Sequence, residues 1–200
     1  MSGRIAIIVG CMILCSASAH AGKYNSALSV GDSAPAWTKL PGVDGQKHSL
    51  ADLKDEPVVV VVFTCNSCPI AESYEDRLIA FARKYAGKVS VVAINVNKIP
   101  EDRLPKMKER AKDKGFEFSY LYDESQKIGK LFGAEYTPEF FVLDKNRKIA
   151  YMGAMDDKSP PAMPGRHFLD DAVEAVLKGQ TPATTETLAR GCKVRYARKR

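Results

Sequence analysis

Two cysteines, Cys65 and Cys68, stand where an apolar run gives way to a helical pattern. The run covers residues 57–63 and holds five consecutive valines and a phenylalanine. The unpaired N–H groups and the dipole at the start of a helix stabilise a thiolate, which is the nucleophile of thiol–disulfide exchange. Two thiols spaced Cys-x-x-Cys close into a disulfide and reopen by exchange. The pair is therefore predicted to be a redox-active disulfide, with Cys65 as the more reactive thiol and its pKa moderately lowered.

The same spacing also forms one half of a structural zinc site. Such a site requires two further ligands from cysteine or histidine. Beyond residue 21 the sequence offers only His48, His167 and Cys192 for that role, and each stands alone. The sequence therefore favours a redox dithiol with no metal and no further cofactor.

A copper-binding or metallochaperone module is the second interpretation of the dithiol. Thiolate and thioether ligands suit Cu(I), and Met152, Met155, Met163 and His167 follow in the sequence. Methionine also fills gaps in protein cores, and these residues are spread over a proline-rich loop. Copper binding therefore stays an alternative to exchange chemistry.

Residues 1–21 have the pattern of a signal peptide. Arg4 is followed by the apolar stretch Ile5–Cys15, too short to span a bilayer, and Ala19-His20-Ala21 resembles a cleavage site. Ile8–Cys11 also resembles a lipoprotein box, which leaves lipidation of Cys11 open. The sequence predicts an exported protein, periplasmic or secreted, in a compartment where disulfides persist.

The net charge of +6 lies entirely in the last eleven residues, which carry six basic side chains and no acidic one. Clustered cations create a local field that attracts anionic surfaces. For an exported protein we expect weak contact with an anionic membrane surface and no nucleic-acid partner. We divide the chain into the leader, one domain over 28–180, and a flexible basic tail over 181–200.

Cys192 lies in this tail and leaves an odd number of cysteines after the leader. Neighbouring cations favour its thiolate, and Gly191 leaves the backbone unhindered. We expect oxidised protein to contain a Cys65–Cys68 disulfide, with Cys192 as an auxiliary thiol that is free or in a minor mixed disulfide. A tail that folds back, so that Cys192 meets Cys65 or links two chains, is the alternative.

The periodicity of the sequence predicts an α/β domain with a central mixed sheet covered by helices and an N-terminal hairpin extension. Fully apolar runs predict buried strands, and spacings of three and four predict amphipathic helices. The strands are predicted at Val58–Phe63, Val89–Asn95, Tyr120–Tyr122, Phe140–Leu143 and Lys148–Met152. The helices are predicted after Cys68 and at Glu101–Lys114, Ser125–Phe132 and His167–Lys178. The hairpin is predicted within Val30–Leu50.

Three segments resemble the thioredoxin-like redoxins. They are FTCNSCP at the strand end, TP leading into EFFVLDKNRKIAYMG, and the preamble GDSAPAW followed by DGQKHSLADL. Within that superfamily the chain resembles the exported thiol–disulfide oxidoreductases related to alkyl hydroperoxide reductase and thiol-specific antioxidant proteins. The resemblance covers roughly residues 30 to 180.

The resemblance implies roles for individual residues. Cys65 is implied to be the attacking thiol and Cys68 the resolving thiol. Pro138 is implied to be a cis-proline beside the disulfide, with the Thr137 backbone pairing a substrate strand. The implied activity is exchange with protein thiol and disulfide substrates and a redox partner that the sequence does not identify. We expect a monomer.

The sequence also departs from two families that use this fold. Thioredoxin has a tryptophan before the first cysteine and a buried acid six residues earlier, where this chain has Thr64 and Val59. Peroxiredoxins place a Thr or Ser three residues before the peroxidatic cysteine and a Pro four residues before that, where Val62 and Val58 stand here. These differences leave a thiol-dependent peroxidase as a third interpretation.

Overall fold

A five-stranded mixed sheet forms the centre of the computed structural model, which describes residues 22–197. The strands lie in the order β5-β4-β3-β7-β8, with β3, β4 and β5 parallel and β7 and β8 antiparallel to their neighbours. Their bounds are β3 (Val58–Phe63), β4 (Val89–Asn95), β5 (Ser119–Tyr122), β7 (Glu139–Leu143) and β8 (Ile149–Gly153). Two small antiparallel pairs join β1 (Leu40–Pro41) to β2 (Lys47–His48) and β6 (Tyr136–Thr137) to β9 (Cys192–Lys193).

Four α-helices cover the two faces of the sheet. They are α1 (Pro69–Lys84), α2 (Leu104–Lys114), α3 (Lys127–Phe132) and α4 (Phe168–Leu177). Helices α1, α2 and α4 pack on one face, and α3 packs on the other together with the N-terminal segment. The predicted central mixed sheet covered by helices and the N-terminal hairpin are therefore confirmed.

Strand β3 is the middle strand, and every one of its residues is buried. Successive side chains of a strand point to opposite faces, so Val58, Val60 and Val62 enter one hydrophobic core while Val59 and Val61 enter the other. An uninterrupted β-branched run fits a strand that is covered on both sides. The strand therefore fixes the position of the residues that follow it, at its carboxyl end.

The predicted helix at Glu101–Lys114 begins later than expected. Residues Pro100–Asp102 form a short 3-10 turn, and α2 starts at Leu104, with a proline at its N-terminal turn. Proline fits that position because its missing N–H has no partner within the helix anyway. The 3-10 turn brings a buried carboxylate, Asp102, to the same end of the sheet as the dithiol.

The C-terminal segment contradicts the prediction of a flexible tail over 181–200. Thr185 and Thr187 exchange backbone hydrogen bonds with Met152 in β8, and β9 pairs with β6. Farther on, Val194 is buried, and its N–H donates to the carbonyl of Glu135. The polar composition of the segment suggested a free end, but its backbone groups find partners on the domain. The segment up to residue 197 is thus part of the folded unit.

Within residues 22–197, no helix has the length and apolar character needed to cross a membrane. The predicted signal peptide and Cys11 lie outside the described residues, as do the last three basic residues of the chain.

Candidate active site at the carboxyl end of strand β3

The dithiol lies at the junction between β3 and α1. Cys65 follows the strand by two residues, and Cys68 is the N-cap of the helix, with Pro69 as the first helical residue. The Ala71 N–H donates to the Cys68 sulfur at 3.3 Å. An N-cap side chain accepts one of the N–H groups that the first turn of a helix leaves unpaired. Both cysteines are free thiols and almost fully buried, with 3% and 1% of their surfaces exposed.

The end of β6 and the residue that follows it bring Thr137 and Pro138 against the two cysteines. The Thr137-Pro138 peptide bond is cis, as the resemblance implied. The Thr137 hydroxyl lies 3.5 Å from the Cys65 sulfur, and the Cys68 thiol donates to the Thr137 carbonyl at 3.2 Å. The structure therefore brings together all four residues that the sequence predicted for the catalytic and substrate-binding site.

The two thiols differ in acidity in the opposite sense to the prediction. Their mutual hydrogen bond lowers the pKa of Cys68 and raises the pKa of Cys65, and burial raises the pKa of Cys65 further. Cys68, not Cys65, caps the helix, so the N–H groups of α1 act on it more directly. The N–H groups at the start of α1 therefore favour a thiolate on Cys68 more than on Cys65.

A buried carboxylate that the sequence analysis did not identify holds the loop between the cysteines. Asp102 accepts hydrogen bonds from the backbone N–H of Asn66 at 2.7 Å and of Ser67 at 3.1 Å, and from the Ser67 hydroxyl at 2.6 Å. Its side chain has no exposed surface. A buried carboxylate without hydrogen-bond donors is costly in free energy. The two main-chain N–H groups and the hydroxyl that bind Asp102 therefore hold this short loop in one conformation.

Further side chains complete the network around this loop. The Tyr120 hydroxyl donates to the Asn66 side chain at 2.9 Å, and the Asn95 amide donates to the Tyr120 hydroxyl at 3.2 Å. Asn97 donates to Asp102 at 3.1 Å. The polar residues in Asn95-Val96-Asn97, directly after an apolar strand, were a signal for this network that the sequence analysis did not use.

A second buried acid lies beside the Thr137-Pro138 segment. Glu139 follows Pro138, and one of its carboxylate oxygens accepts from the N–H groups of Glu135 and Tyr136 at 2.8 and 3.0 Å. Burial raises the pKa of Glu139 to about 7, against the lowering effect of these hydrogen bonds. Glu139 thus braces the loop that carries Thr137.

The third cysteine lies next to the dithiol. Strand β9 pairs Cys192 with Thr137, and Cys192 packs against the cluster formed by Cys65, Cys68 and Ala71. Burial and the neighbouring Cys68 raise the pKa of Cys192, so the expected stabilisation of its thiolate by nearby cations does not dominate. The tail therefore folds back, as the alternative stated, and places Cys192 as a free thiol beside Cys68.

The residues considered for copper do not form one site. Met152 lies in the core on the α3 face of the sheet, and Met155 lies in the core on the opposite face. Met163 is 81% exposed. The three methionines therefore lie in two different cores and at the surface, and they do not form one cluster.

Known proteins resemble the chain in both sequence and structure. The sequence is 27% identical over 126 residues to the thiol-disulfide oxidoreductase ResA of Geobacillus thermodenitrificans, covering 62% of this chain and 68% of that protein. A hypothetical protein from Sinorhizobium meliloti superposes with a TM-score of 0.80 at 36% identity, covering 86% of this chain and 97% of the other. An uncharacterised protein from Geobacillus kaustophilus gives 0.82 at 32% identity, covering 88% and 96%.

A family model described as Redoxin matches residues 29–164, which include the dithiol, the cis-proline and the whole central sheet. A solved putative thioredoxin from Neisseria meningitidis superposes with a TM-score of 0.53 at 28% identity, covering 65% of this chain and 83% of the other. The chain therefore belongs to the redoxin family and has a thioredoxin-like fold.

Proposed function

We propose that this protein is a thiol-disulfide oxidoreductase that exchanges the Cys65–Cys68 disulfide with the thiols and disulfides of protein substrates. The observation that carries the proposal is the convergence of Cys65, Cys68 and the Thr137-Pro138 loop at the carboxyl end of β3. The similarity to ResA supports this chemical class. In this proposal the protein uses no separate cofactor, because the redox group is its own Cys65–Cys68 disulfide.

The reduced pair supplies the chemistry for breaking a substrate disulfide. One thiolate attacks a substrate sulfur, a mixed disulfide forms, and the other substrate sulfur leaves as a thiolate. The second cysteine then attacks the mixed disulfide and releases the reduced substrate, which leaves the Cys65–Cys68 disulfide behind. The resemblance assigns the first attack to Cys65, which requires the Cys65 proton to pass to the Cys68 thiolate before the Cys65 sulfur attacks. The reverse sequence of steps oxidises a substrate dithiol.

The surrounding groups prepare the pair for this chemistry. Cys65 and the Ala71 N–H both lower the pKa of Cys68, which favours a thiolate in the reduced pair. Asp102 holds the intervening loop, so the sulfurs stay in reach of each other in the reduced state. A rigid pair loses little conformational freedom when the disulfide closes.

We also propose that the protein works outside the cytoplasm as a monomer. The leader pattern of residues 1–21 supports export, and the three cysteines that follow suit an oxidising compartment. The basic residues at the C-terminus support weak contact with anionic membrane surfaces.

Exchange in both directions tests the proposed function. Reduced protein is assayed with insulin and dithiothreitol, and oxidised protein with reduced ribonuclease, each beside the Cys65→Ser/Cys68→Ser double variant. At least one reaction should run about 100-fold faster with the wild-type protein, a difference of about 2.7 kcal/mol in the barrier. Equal rates in both assays would refute exchange, and rapid hydroperoxide consumption by the wild-type protein alone would favour the peroxidase.

A further inference from the structure

The C-terminal strand occupies the edge of the loop that the proposed function assigns to a substrate. Thr137 pairs with Cys192 in β9, and the Thr137 hydroxyl donates to the Cys192 carbonyl at 3.4 Å. The Thr137 carbonyl in turn accepts from the Cys68 thiol. One residue therefore touches both the dithiol and the strand that carries the third cysteine.

Specific contacts hold the chain beyond β9 in place. The Arg195 N–H donates to the buried side chain of Asn97 at 3.0 Å, and the Ala197 N–H donates to the buried side chain of Gln126 at 2.8 Å. The Tyr196 hydroxyl donates to the Ala134 carbonyl at 2.7 Å. These partners come from three separate loops of the domain, so the position of Cys192 is set by the fold.

The three thiols form one cluster, and its members differ in how much of each side chain is exposed to solvent. Cys65 and Cys68 are nearly inaccessible, whereas Cys192 is partly exposed. Cys192 packs against Cys65, Cys68 and Ala71, and its strand is paired with Thr137, which contacts both sulfurs of the pair. Adjacent thiols of this kind are within reach of exchange, which proceeds by attack of a thiolate on a neighbouring disulfide sulfur.

We propose that Cys192 is a third redox thiol, which exchanges with the Cys65–Cys68 disulfide and presents the resulting Cys68–Cys192 disulfide at the protein surface. The Cys192 thiolate attacks the Cys68 sulfur. The bond between Cys68 and Cys192 forms as the bond between Cys65 and Cys68 breaks, and Cys65 leaves as a thiolate that takes up the proton released by Cys192. No electrons are gained or lost in this step.

This inference rests on the proposed function, which supplies the oxidised pair, and it identifies where a redox partner acts. A partner too large to reach the buried pair meets the disulfide at Cys192, on the outer side of the cluster. Its thiol then attacks the Cys192 sulfur and leaves Cys68 as a thiolate.

Trapping of the free thiol in oxidised protein tests the proposal. A one-disulfide protein is quenched in acid, alkylated and mapped by mass spectrometry, so that the alkylated cysteine identifies the isomer. At least about one tenth of the molecules should carry the label on Cys65. This fraction corresponds to a Cys68–Cys192 isomer that is less stable than the Cys65–Cys68 isomer by at most about 1.4 kcal/mol. The Cys65→Ser variant, oxidised with diamide at low protein concentration, should form an intramolecular Cys68–Cys192 disulfide.

A matched variant moves the thiol by one position along the same strand. In Cys192→Ser/Lys193→Cys the thiol points to the opposite side of β9, because successive strand residues alternate. When Cys65 is also replaced by Ser, this variant should form no intramolecular disulfide under the same conditions.

The proposal requires both the Cys65 label in the wild-type protein and the disulfide in Cys65→Ser. Label confined to Cys192 overturns it, as does Cys65→Ser protein that keeps two thiols or forms only linked chains. These failures differ from failure of the proposed function. A wild-type protein that exchanges with insulin or ribonuclease while its label stays on Cys192 keeps the proposed function and loses only the third thiol.

Discussion

At the scale of single residues, the acid that organises the site is Asp102. The loop after β4 sets the position of Asp102 relative to the two cysteines. Asp102 binds Asn66 and Ser67, which precede it in the sequence by 36 and 35 positions. The two cysteines were predictable because their spacing and the preceding apolar strand are local signals. No local pattern encodes the contact between Asp102 and the Asn66-Ser67 backbone, so the sequence analysis could not assign it.

The charge of Asp102 should influence the redox balance of the dithiol. Hydrogen bonding to Cys68 and burial are the larger causes of the raised pKa of Cys65, and the Asp102 carboxylate adds to them. Asp102→Asn removes that charge and favours the thiolate, so the reduction potential should become less negative by up to about 30 mV. Equilibration with glutathione followed by alkylation measures this shift.

Glu101→Gln is the matched control for that experiment. Glu101 is exposed and contributes only its backbone carbonyl to Asn66. Its replacement should leave the potential unchanged. A more negative potential in Asp102→Asn would contradict the role given to the charge.

The stability of the protein should depend on the ionisation of Glu139. Its folded-state pKa is raised to about 7 by burial, above its usual value, so the folded state binds the proton more tightly than the unfolded state. The resulting stabilisation is complete at low pH and is lost as pH rises from about 4.5 to about 7. Glu139→Gln stays neutral and should lack this loss, which amounts to about 1–3 kcal/mol.

Urea unfolding of both proteins between pH 4.5 and 7.5 provides the measurement. As pH rises, the unfolding free energy of the wild-type protein should fall relative to that of Glu139→Gln. Exposed Glu124→Gln, whose charge does not act on Glu139, serves as the control. A difference that stays constant across this range would show that Glu139 does not titrate as described.

At the scale of elements, the periodicity of the sequence predicted the central strands and the long helices, whereas tertiary contacts determine the strand that it missed. Strands β3 and β4 have the predicted bounds, because apolar β-branched runs leave little freedom in register. Strand β9 has two residues, in a basic segment without alternation. Its pairing comes from tertiary contacts, and a two-residue strand carries no periodic signal.

Gly191 allows β9 to approach Thr137 and Pro138 closely. A Cβ at this position would lie 2.0 Å from the Thr137 carbonyl oxygen and 3.2 Å from the Pro138 nitrogen. Gly191→Ala should therefore displace β9 and expose the dithiol. Alkylation of reduced Cys65 and Cys68 by iodoacetamide should become about tenfold faster, which corresponds to about 1.4 kcal/mol in the opening equilibrium.

Gly165→Ala is the control for this displacement. A Cβ at Gly165 meets only the Asp157 side chain at 3.5 Å, an ordinary contact distance. The alkylation rates should match those of the wild-type protein. Equal rates in Gly191→Ala would mean that β9 does not cover the dithiol.

At the scale of the whole molecule, the C-terminal segment completes the domain. Thr187 hydrogen-bonds the fully buried Tyr151 hydroxyl at 2.6 Å and the Ala154 N–H at 2.9 Å, and Ala189 and Val194 are buried. Composition predicted an independent tail because prolines, threonines and basic residues are typical of free ends. The partners that order the segment lie in β8 and in the loops around the dithiol, so they were not visible in the segment itself.

Truncation after residue 180 should therefore destabilise the protein. Lost burial and hydrogen bonds of about 2–3 kcal/mol should lower Tm by about 5–10 °C. Truncation after residue 197, which removes only the last three basic residues, is the control and should leave Tm unchanged. Thermal unfolding followed by circular dichroism distinguishes the two, and equal Tm values would restore the interpretation of residues 181–197 as a free tail.

The central claim is that Cys65 and Cys68 exchange electrons with a protein disulfide, and a single-turnover reaction tests it most directly. Reduced protein is mixed anaerobically with an excess of oxidised insulin, quenched in acid and alkylated, and the alkylated cysteines of both proteins are identified by mass spectrometry. The account predicts that the dithiol cluster loses two alkylation sites for each insulin disulfide that opens, with Cys68 always among the oxidised residues. Full alkylation of Cys65 and Cys68 after the insulin disulfides have opened, or insulin that stays oxidised, would contradict it.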